Sequence, residues 1–308
     1  MSYEQLLIQT ALADERIIVM TAENRALVRN APAAIKGRFI DTGITEQTMI
    51  GMAAGLALRG RVPVVHALAP FLTMRAYEFI RTDVGIAHLP VKLSGYIPGF
   101  LSDGNGPTHQ AIEDVAIMRG IPGMEVFAPA DEADLVGMLP SIWASPAPAY
   151  VRINHKPGSY AHAPYVPGKA EIVARGEDVT LLVYGFLFEN ALAAKALLEK
   201  EGLSVGLINM RSLKPVDEAA IVEAAGGSNR LVTIEDHFQT GGLYSIVAEV
   251  LLKHRVMADV TPLSLGERWF RPGLLGQVLE TEGFTPEKLA QRIKDPIVPK
   301  QTNYHPTL

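Results

Sequence analysis

Short apolar runs rich in Val, Ile and Leu alternate with longer amphipathic or Ala-rich segments along the whole chain. Short runs bounded by Gly, Pro and polar residues predict strands, and the longer segments predict helices. Strands that alternate with helices are typical of parallel sheets covered by helices on both faces. The pattern therefore predicts an α/β protein.

The alternation falls into two blocks, which predict two consecutive domains, each a mostly parallel sheet flanked by helices. A polar stretch with several Pro and Gly residues separates them, so we expect domains at residues 1–158 and 178–308 and a linker at 159–177. The pattern predicts strands at 16–20, 62–68, 91–96, 124–128 and 149–153, and then at 178–185, 203–210, 230–236 and 260–265. Helices are predicted between them, including 45–59, 72–86, 109–118 and 131–143, the last capped by Asp131.

Composition narrows the class of protein. The 308 residues suffice for two domains, and 48% hydrophobic with 20% charged residues is typical of a folded globular protein. A net charge of -5 provides no basic field, so we expect neither a nucleic-acid nor a membrane partner. The N-terminus lacks the pattern of an export signal, and no apolar run is long enough to span a bilayer, which predicts a cytoplasmic protein.

The chain contains no cysteine, so disulfides, thiolate nucleophiles and Cys-based zinc sites are excluded. Catalysis must then use carboxylates, histidines or a cofactor. The histidines, among them His88 and His237, do not have metal-ligand spacing, and we predict no metal site formed by this chain.

The segment from Asp41 to Gly60 is the most informative part of the sequence about function. Small and apolar residues predict a largely buried helix here, and Glu46 stands at its start. Taken alone, Glu46 is most simply a carboxylate that complements the positive N-terminus of the helix.

The residues around Glu46 favour a catalytic role. The string GITEQ (43–47), followed by an Ala/Gly-rich helix, resembles the segment that holds the cofactor-activating glutamate in thiamine-diphosphate enzymes of the transketolase family. Phe71 and Tyr77 resemble the aromatic wall around the aminopyrimidine in that family, and GPTHQ (106–110) resembles its substrate-facing loop. IEDHFQTGG (234–242) is similar to the family's C-terminal domain. The resemblance covers nearly the whole chain and implies a pyrimidine-binding domain followed by a transketolase C-terminal domain.

The motif by which the family binds the diphosphate and Mg²⁺, Gly-Asp-Gly with an Asn further along, is missing from this sequence. The chain thus resembles the C-terminal half of a split transketolase. The resemblance implies thiamine diphosphate as cofactor, with Mg²⁺ (or Ca²⁺ or Mn²⁺) bound mainly by an N-terminal partner subunit. It also implies an α2β2 heterotetramer.

The resemblance assigns cofactor contacts to five residues. Glu46 would share a proton with the aminopyrimidine, Phe71 would stack on it, and Met74 and Tyr77 would pack nearby. Phe71, Met74 and Tyr77 are spaced i, i+3, i+6, which would place them on one side of a helix, although such a stripe is more often core. Glu23 matches an acidic residue that approaches the cofactor from the neighbouring subunit, with capping of a helix start as the alternative.

Substrate contacts fall on five further residues. His109 would hydrogen-bond near the reacting carbonyl or hydroxyl, the alternative being an exposed loop histidine. Asn105 stands where the family usually has Asp, and Asp103 could compensate. Arg152 is either a phosphate-binding residue or one half of an interdomain ion pair, and His66 would line the pocket.

The resemblance implies a transketolase subunit that transfers a two-carbon ketol unit from a ketose, as a sugar phosphate or similar anionic sugar, to an aldose. The β subunit of a 2-oxoacid dehydrogenase is an alternative, which the GPTHQ loop disfavours. A non-catalytic assembly subunit is a third. The identity of the sugar stays open because the loop at 93–101 departs from the family pattern. We expect Glu235, Gly241 and Gly242 to be structural.

Overall fold

The helices and strands alternate through both halves of the protein. We describe a computed structural model over residues 1–294, so residues 295–308 of the predicted second domain lie outside the described part. The elements of the first half are α1 (Tyr3–Ala13), β1 (Ile17–Thr21), α2 (Ala31–Ala34), β2 (Phe39–Asp41), α3 (Glu46–Leu58), β3 (Val62–Leu68), α4 (Tyr77–Phe79), β4 (Lys92–Tyr96), α5 (Asp114–Arg119), β5 (Glu125–Phe127), α6 (Glu132–Ala144) and β6 (Ala149–Ile153).

The second half has the same alternation. Its elements are β7 (Glu171–Ala174), β8 (Val179–Val183), α7 (Phe188–Lys200), β9 (Val205–Asn209), β10 (Ser212–Lys214), α8 (Glu218–Gly227), β11 (Leu231–Ile234), α9 (Leu243–His254), β12 (Val260–Leu263), α10 (Leu275–Glu282) and α11 (Pro286–Lys294).

Two sheets organise these elements. The first has seven strands in the order β10-β5-β6-β4-β3-β1-β2, and all pairs are parallel except β10 with β5. The second has five strands in the order β12-β11-β8-β9-β7, and only β7 pairs antiparallel with its neighbour. Helices pack on both sheets, so the predicted α/β class with two mostly parallel sheets is confirmed.

The strands missed by the sequence pattern are β2, β7 and β10. β7 lies inside the predicted linker and adds to the second sheet, so residues 159–177 are not simply a connection. β10 comes from the second half of the chain and pairs with β5 at the edge of the first sheet. The second half therefore contributes a strand to the first sheet, which joins the two halves in addition to the connecting chain.

Helix starts follow the local sequence. The side chain of Ser2 accepts a hydrogen bond from Gln5 in a capping box at the start of α1. Asp131 accepts one from the backbone of Asp134 at the start of α6, which confirms the predicted cap. The buried side of α3 includes Met49, Ile50, Ala53, Ala54 and Ala57, as the apolar spacing predicts.

A buried ion network ties the connecting segment to both halves. His162 contacts Asp131 through Nε2 at 3.0 Å and Glu171 through Nδ1 at 2.7 Å. Burial opposes a charged imidazole, but hydrogen bonds to both carboxylates outweigh it and raise the pKa of His162 to about 10. Arg211 pairs with Asp134 at 2.7 Å in the same network. Asp134, His162 and Glu171 have the spacing of a metal site, yet both nitrogens of His162 are engaged by carboxylates.

Within residues 1–294, no helix combines the length and the apolar character needed to cross a membrane.

Candidate active site

Glu46 is the first residue of α3 and is only 2% exposed. It follows a loop in which Gly43 has a positive φ of 70°, a conformation that glycine adopts without steric cost. The carboxylate thus lies at the positive end of the helix, as the simpler interpretation requires. It also accepts a hydrogen bond from Nη1 of Arg75 at 3.0 Å, an ion pair that the sequence did not indicate.

Arg75 and Phe71 belong to a helical segment that departs from regular α-helix. Phe71–Arg75 and Ile80–Gly85 are π-helical and flank the short α4. A π-helical turn contains more residues than an α-helical one because its hydrogen bonds span five residues, and such turns occur frequently at functional sites. The guanidinium carbon of Arg75 lies 4.1 Å from the centroid of the Phe71 ring, within cation–π range.

His109 also contacts Phe71. Its ring centroid lies 4.9 Å from that of Phe71, at an interplanar angle of 68°. It is half-buried in a short turn that begins at Pro107, and its Nδ1 is 2.9 Å from the hydroxyl of Thr108. The structure therefore joins Glu46, Arg75, Phe71 and His109 in one row of contacts, which we call the Glu46–His109 row.

Tyr77 and Met74, which are also predicted to contact the cofactor, differ in their burial. Tyr77 is half-buried against the core of the first domain, while Met74 is 36% exposed. Because the segment is not a regular α-helix, the i, i+3, i+6 argument for a single aromatic face does not hold as stated. Their contacts with a cofactor stay a prediction.

Glu23 is exposed, follows β1, and has a positive φ of 70°. Its backbone N–H donates to Asp41 at 3.0 Å. The alternative that it caps a helix start is wrong, because the next helix, α2, begins after Asn30. An exposed carboxylate remains available to a neighbouring subunit, so that prediction stands untested.

The loop before His109 is shaped by its own short hydrogen bonds. Nδ2 of Asn105 donates to the carbonyl of Ser102 at 3.1 Å, and the carboxylate of Asp103 accepts from the Gly104 N–H at 2.6 Å. Asn105 is exposed and Asp103 half-buried. Both side chains are engaged locally through one atom only, and their substrate roles stay predictions.

Arg152 lies in a buried network of ion pairs. It is 2% exposed, and it contacts Asp114 at 2.9 Å and Asp236 at 2.6 Å. Asp114 belongs to the first domain and Asp236 to the second, so the structure contains the interdomain ion pair. Two buried carboxylates occupy its guanidinium here, and a contact of Arg152 with a substrate anion stays a prediction.

His66 is also a structural residue. It is 2% exposed, its Nδ1 donates to the carbonyl of Met20 at 3.0 Å, and its Nε2 accepts from the hydroxyl of Tyr3 at 2.6 Å. Burial lowers the pKa of His66 to about 4, which keeps the ring neutral. Both ring nitrogens are used within the core, and the prediction that His66 lines the pocket stays untested.

The IEDHFQTGG motif builds the start of α9. Both oxygens of Glu235 accept from the backbone N–H groups of Leu243 and Tyr244, at 2.6 and 3.0 Å. A Cβ on Gly242 would lie 2.0 Å from Oε2 of Glu235, and one on Gly241 would lie 2.4 Å from Cβ of Ala116. The predicted structural role of Glu235, Gly241 and Gly242 is therefore confirmed.

Comparison with known proteins identifies the family. The family model for the transketolase pyrimidine-binding domain matches residues 1–157, and that for the transketolase C-terminal domain matches residues 168–289. The chain is 37% identical over 255 residues to the 6-deoxy-6-sulfo-D-fructose transketolase subunit SqwH of Clostridium sp. (strain MSTE9), covering 81% of this chain and 79% of that protein. It is 31% identical over 261 residues to an apulose-4-phosphate transketolase subunit of Phocaeicola vulgatus, covering 83% and 84%.

A solved structure of a split transketolase has the same fold as this chain. A split gene transketolase, described as an inactive beta4 tetramer, superposes with a TM-score of 0.85 at 32% identity and covers 94% of this chain and 95% of that one. Both domains and their order agree with these relatives, and the chain is accordingly a transketolase-type subunit that belongs to the transketolase family.

Proposed function

We propose that this chain is the C-terminal subunit of a two-subunit, thiamine-diphosphate-dependent transketolase that moves a two-carbon ketol unit from an anionic ketose to an aldose. The observation that carries the proposal is the Glu46–His109 row, in which a buried carboxylate, an aromatic face and a loop histidine lie in succession. This set fits an aminopyrimidine, which needs an acid group at a ring nitrogen and an apolar surface against its face.

Three residues of the row, Glu46, Phe71 and His109, have distinct tasks. Glu46 holds a proton at the ring nitrogen of the aminopyrimidine, and Phe71 packs against the ring, with Met74 and Tyr77 beside it. When bound, thiamine diphosphate supplies the carbon nucleophile and the electron sink for ketol transfer. His109, in contact with Phe71, hydrogen-bonds the substrate carbonyl or hydroxyl, and Asn105 and Asp103 lie in the loop before it.

The surface around the row supports a partner subunit. Large apolar side chains near it in the sequence are exposed: Ile44 is 70% exposed, Met52 41%, Phe79 38% and Ile86 74%. A partner subunit that covered these side chains would remove their apolar surface from water. The solved relative is described as an inactive beta4 tetramer, which supports the same conclusion. We infer a cytoplasmic α2β2 heterotetramer in which Glu23 faces the neighbouring subunit.

The metal ion is assigned to the partner. Mg²⁺ takes oxygen ligands together with phosphate oxygens, and the sequence of this chain carries no Gly-Asp-Gly motif to provide them. In the described part of the chain, Asp134, His162 and Glu171 form a potential ligand group, but carboxylates already engage both nitrogens of His162.

The anionic class of the sugar is inferred from relatives. One is named for a sulfonated sugar and another for a sugar phosphate. A donor and acceptor panel on the reconstituted pair should therefore contain both sulfonates and phosphates.

The test is ketol transfer by the pair with wild-type and Glu46→Gln subunits. Loss of a positioned proton-transfer group should lower turnover at least about 100-fold while the subunit still folds and assembles. Glu78→Gln, an exposed carboxylate on α4, is the matched control and should behave as wild type. Turnover of Glu46→Gln within about threefold of wild type would refute the assignment.

A further inference from the structure

Arg75 makes both of the contacts that the proposed function reserves for the cofactor. Its Nη1 donates to Oε2 of Glu46 at 3.0 Å, and its guanidinium lies over Phe71, with the central carbon 4.1 Å from the ring centroid. A guanidinium is planar, delocalised and rich in N–H donors, and it stacks on aromatic rings. It therefore offers the same combination, a hydrogen-bonding group at one edge and a flat face, as an aminopyrimidine.

The two planar groups cannot occupy this place together. A ring stacked on this face of Phe71 needs the space that the guanidinium fills, and its bonded nitrogen needs the carboxylate that Arg75 holds. The side chain of Glu46 is 3% exposed and fixed at the start of α3, whereas that of Arg75 is 40% exposed. Arg75 is thus the partner that can move.

We infer that the Arg75 guanidinium occupies the aminopyrimidine position in the chain without cofactor, and that thiamine diphosphate displaces it on binding. This inference rests on the proposed function. The resident guanidinium neutralises a buried carboxylate and covers an aromatic face that would otherwise meet water. It also makes cofactor affinity lower than the site could provide, because each binding event must break the ion pair and the cation–π contact.

The test measures cofactor affinity rather than turnover. Isothermal titration of the assembled pair with thiamine diphosphate and Mg²⁺ is carried out for wild type and Arg75→Met, which removes the charge but keeps an unbranched side chain. A half-exposed ion pair and a cation–π contact are each worth a few-fold in an equilibrium, so Arg75→Met should lower the Kd about fivefold to tenfold. Arg81→Met removes an exposed arginine from the same helical segment and should leave the Kd unchanged.

The outcomes separate the inference from the proposed function. If the wild-type pair does not bind thiamine diphosphate, both fail. If it binds and Arg75→Met has the same or a higher Kd, only the inference fails, since Arg75 then does not compete with the cofactor. Arg75→Gln serves the same purpose if the Met variant does not assemble. A crystal structure of the wild-type pair with thiamine diphosphate should show Arg75 away from Glu46, and an intact pair there would overturn the inference.

Discussion

Replacing Arg152 with Met separates its structural role from a role in substrate binding. Arg152 donates to Asp114 at 2.9 Å, to Asp236 at 2.6 Å and to the carbonyl of Ala111 at 3.3 Å. Methionine fills part of the same volume but provides no donor. The variant therefore leaves two carboxylates in a region from which solvent is excluded, where the wild type has a cation between them.

The expected loss is large because the remaining charges stay buried. Removing one partner of a buried ion pair typically costs 3–5 kcal/mol, so we expect a decrease of about 3–5 kcal/mol in the free energy of unfolding. Burial already raises the pKa of Asp236, and Arg152 opposes that rise. Without Arg152 the pKa should rise further. A carboxyl with a raised folded-state pKa destabilises the protein as pH increases above its unfolded value, so the loss should be smaller at pH 5 than at pH 8.

Denaturant unfolding followed by circular dichroism, at pH 5 and pH 8, measures this loss. Arg175→Met is the matched control because Arg175 pairs with Glu223 at the surface, where both side chains are more than half exposed. That variant should change stability by no more than about 0.5 kcal/mol. If Arg152→Met costs less than about 1 kcal/mol and instead raises the KM for anionic sugars, the ion-pair reasoning is refuted.

Two further variants test other parts of the fold. His162→Gln should lower stability by about 2–3 kcal/mol near pH 6, because it removes hydrogen bonds between charged groups. With a pKa raised to about 10, His162 stabilises fully below pH 6.5 and progressively less towards pH 10, so the deficit of the variant should shrink over that range. A pH-independent deficit would show that His162 is neutral. Gly242→Ala should cost at least about 2 kcal/mol, since its Cβ would lie 2.0 Å from Glu235. Gly226→Ala in α8, with nothing within 4 Å, should stabilise by about 0.5 kcal/mol, and equal effects of the two would contradict the steric argument.

The fold could be predicted where each strand is buried on both faces. β1, β6, β8 and β9 are buried at every position, so they form continuous apolar runs that the sequence displays directly. β2, β7 and β10 are only three or four residues long and lie at sheet edges. Their pairing depends on a neighbouring strand that is distant in sequence, and no local pattern reveals it.

Candidate site residues could be predicted where they belong to a short sequence motif. The sequence predicts Glu46, Phe71 and His109 as site residues because each belongs to a short motif, and the structure brings them together. Arg152 shows the limit of this approach. The sequence identifies Arg152 as a possible anion ligand but does not reveal its acceptors, Asp114 and Asp236, which are 38 and 84 positions away. Arg75 was missed because its place over Phe71 depends on a π-helical turn that residue spacing does not predict.

The second domain helps to position the loop that carries His109. At the start of the loop, the backbone N–H of Phe100 donates to Asp236 at 3.1 Å, and a Cβ on Gly99 would lie 1.7 Å from the same carboxylate. At its end, Gln110 donates to the carbonyl of Phe270 at 2.8 Å. Asp236 in turn is held by Arg152. The ion pair between Arg152 and Asp236 thus helps to fix one end of the loop that carries His109, even without a direct contact between Arg152 and a sugar.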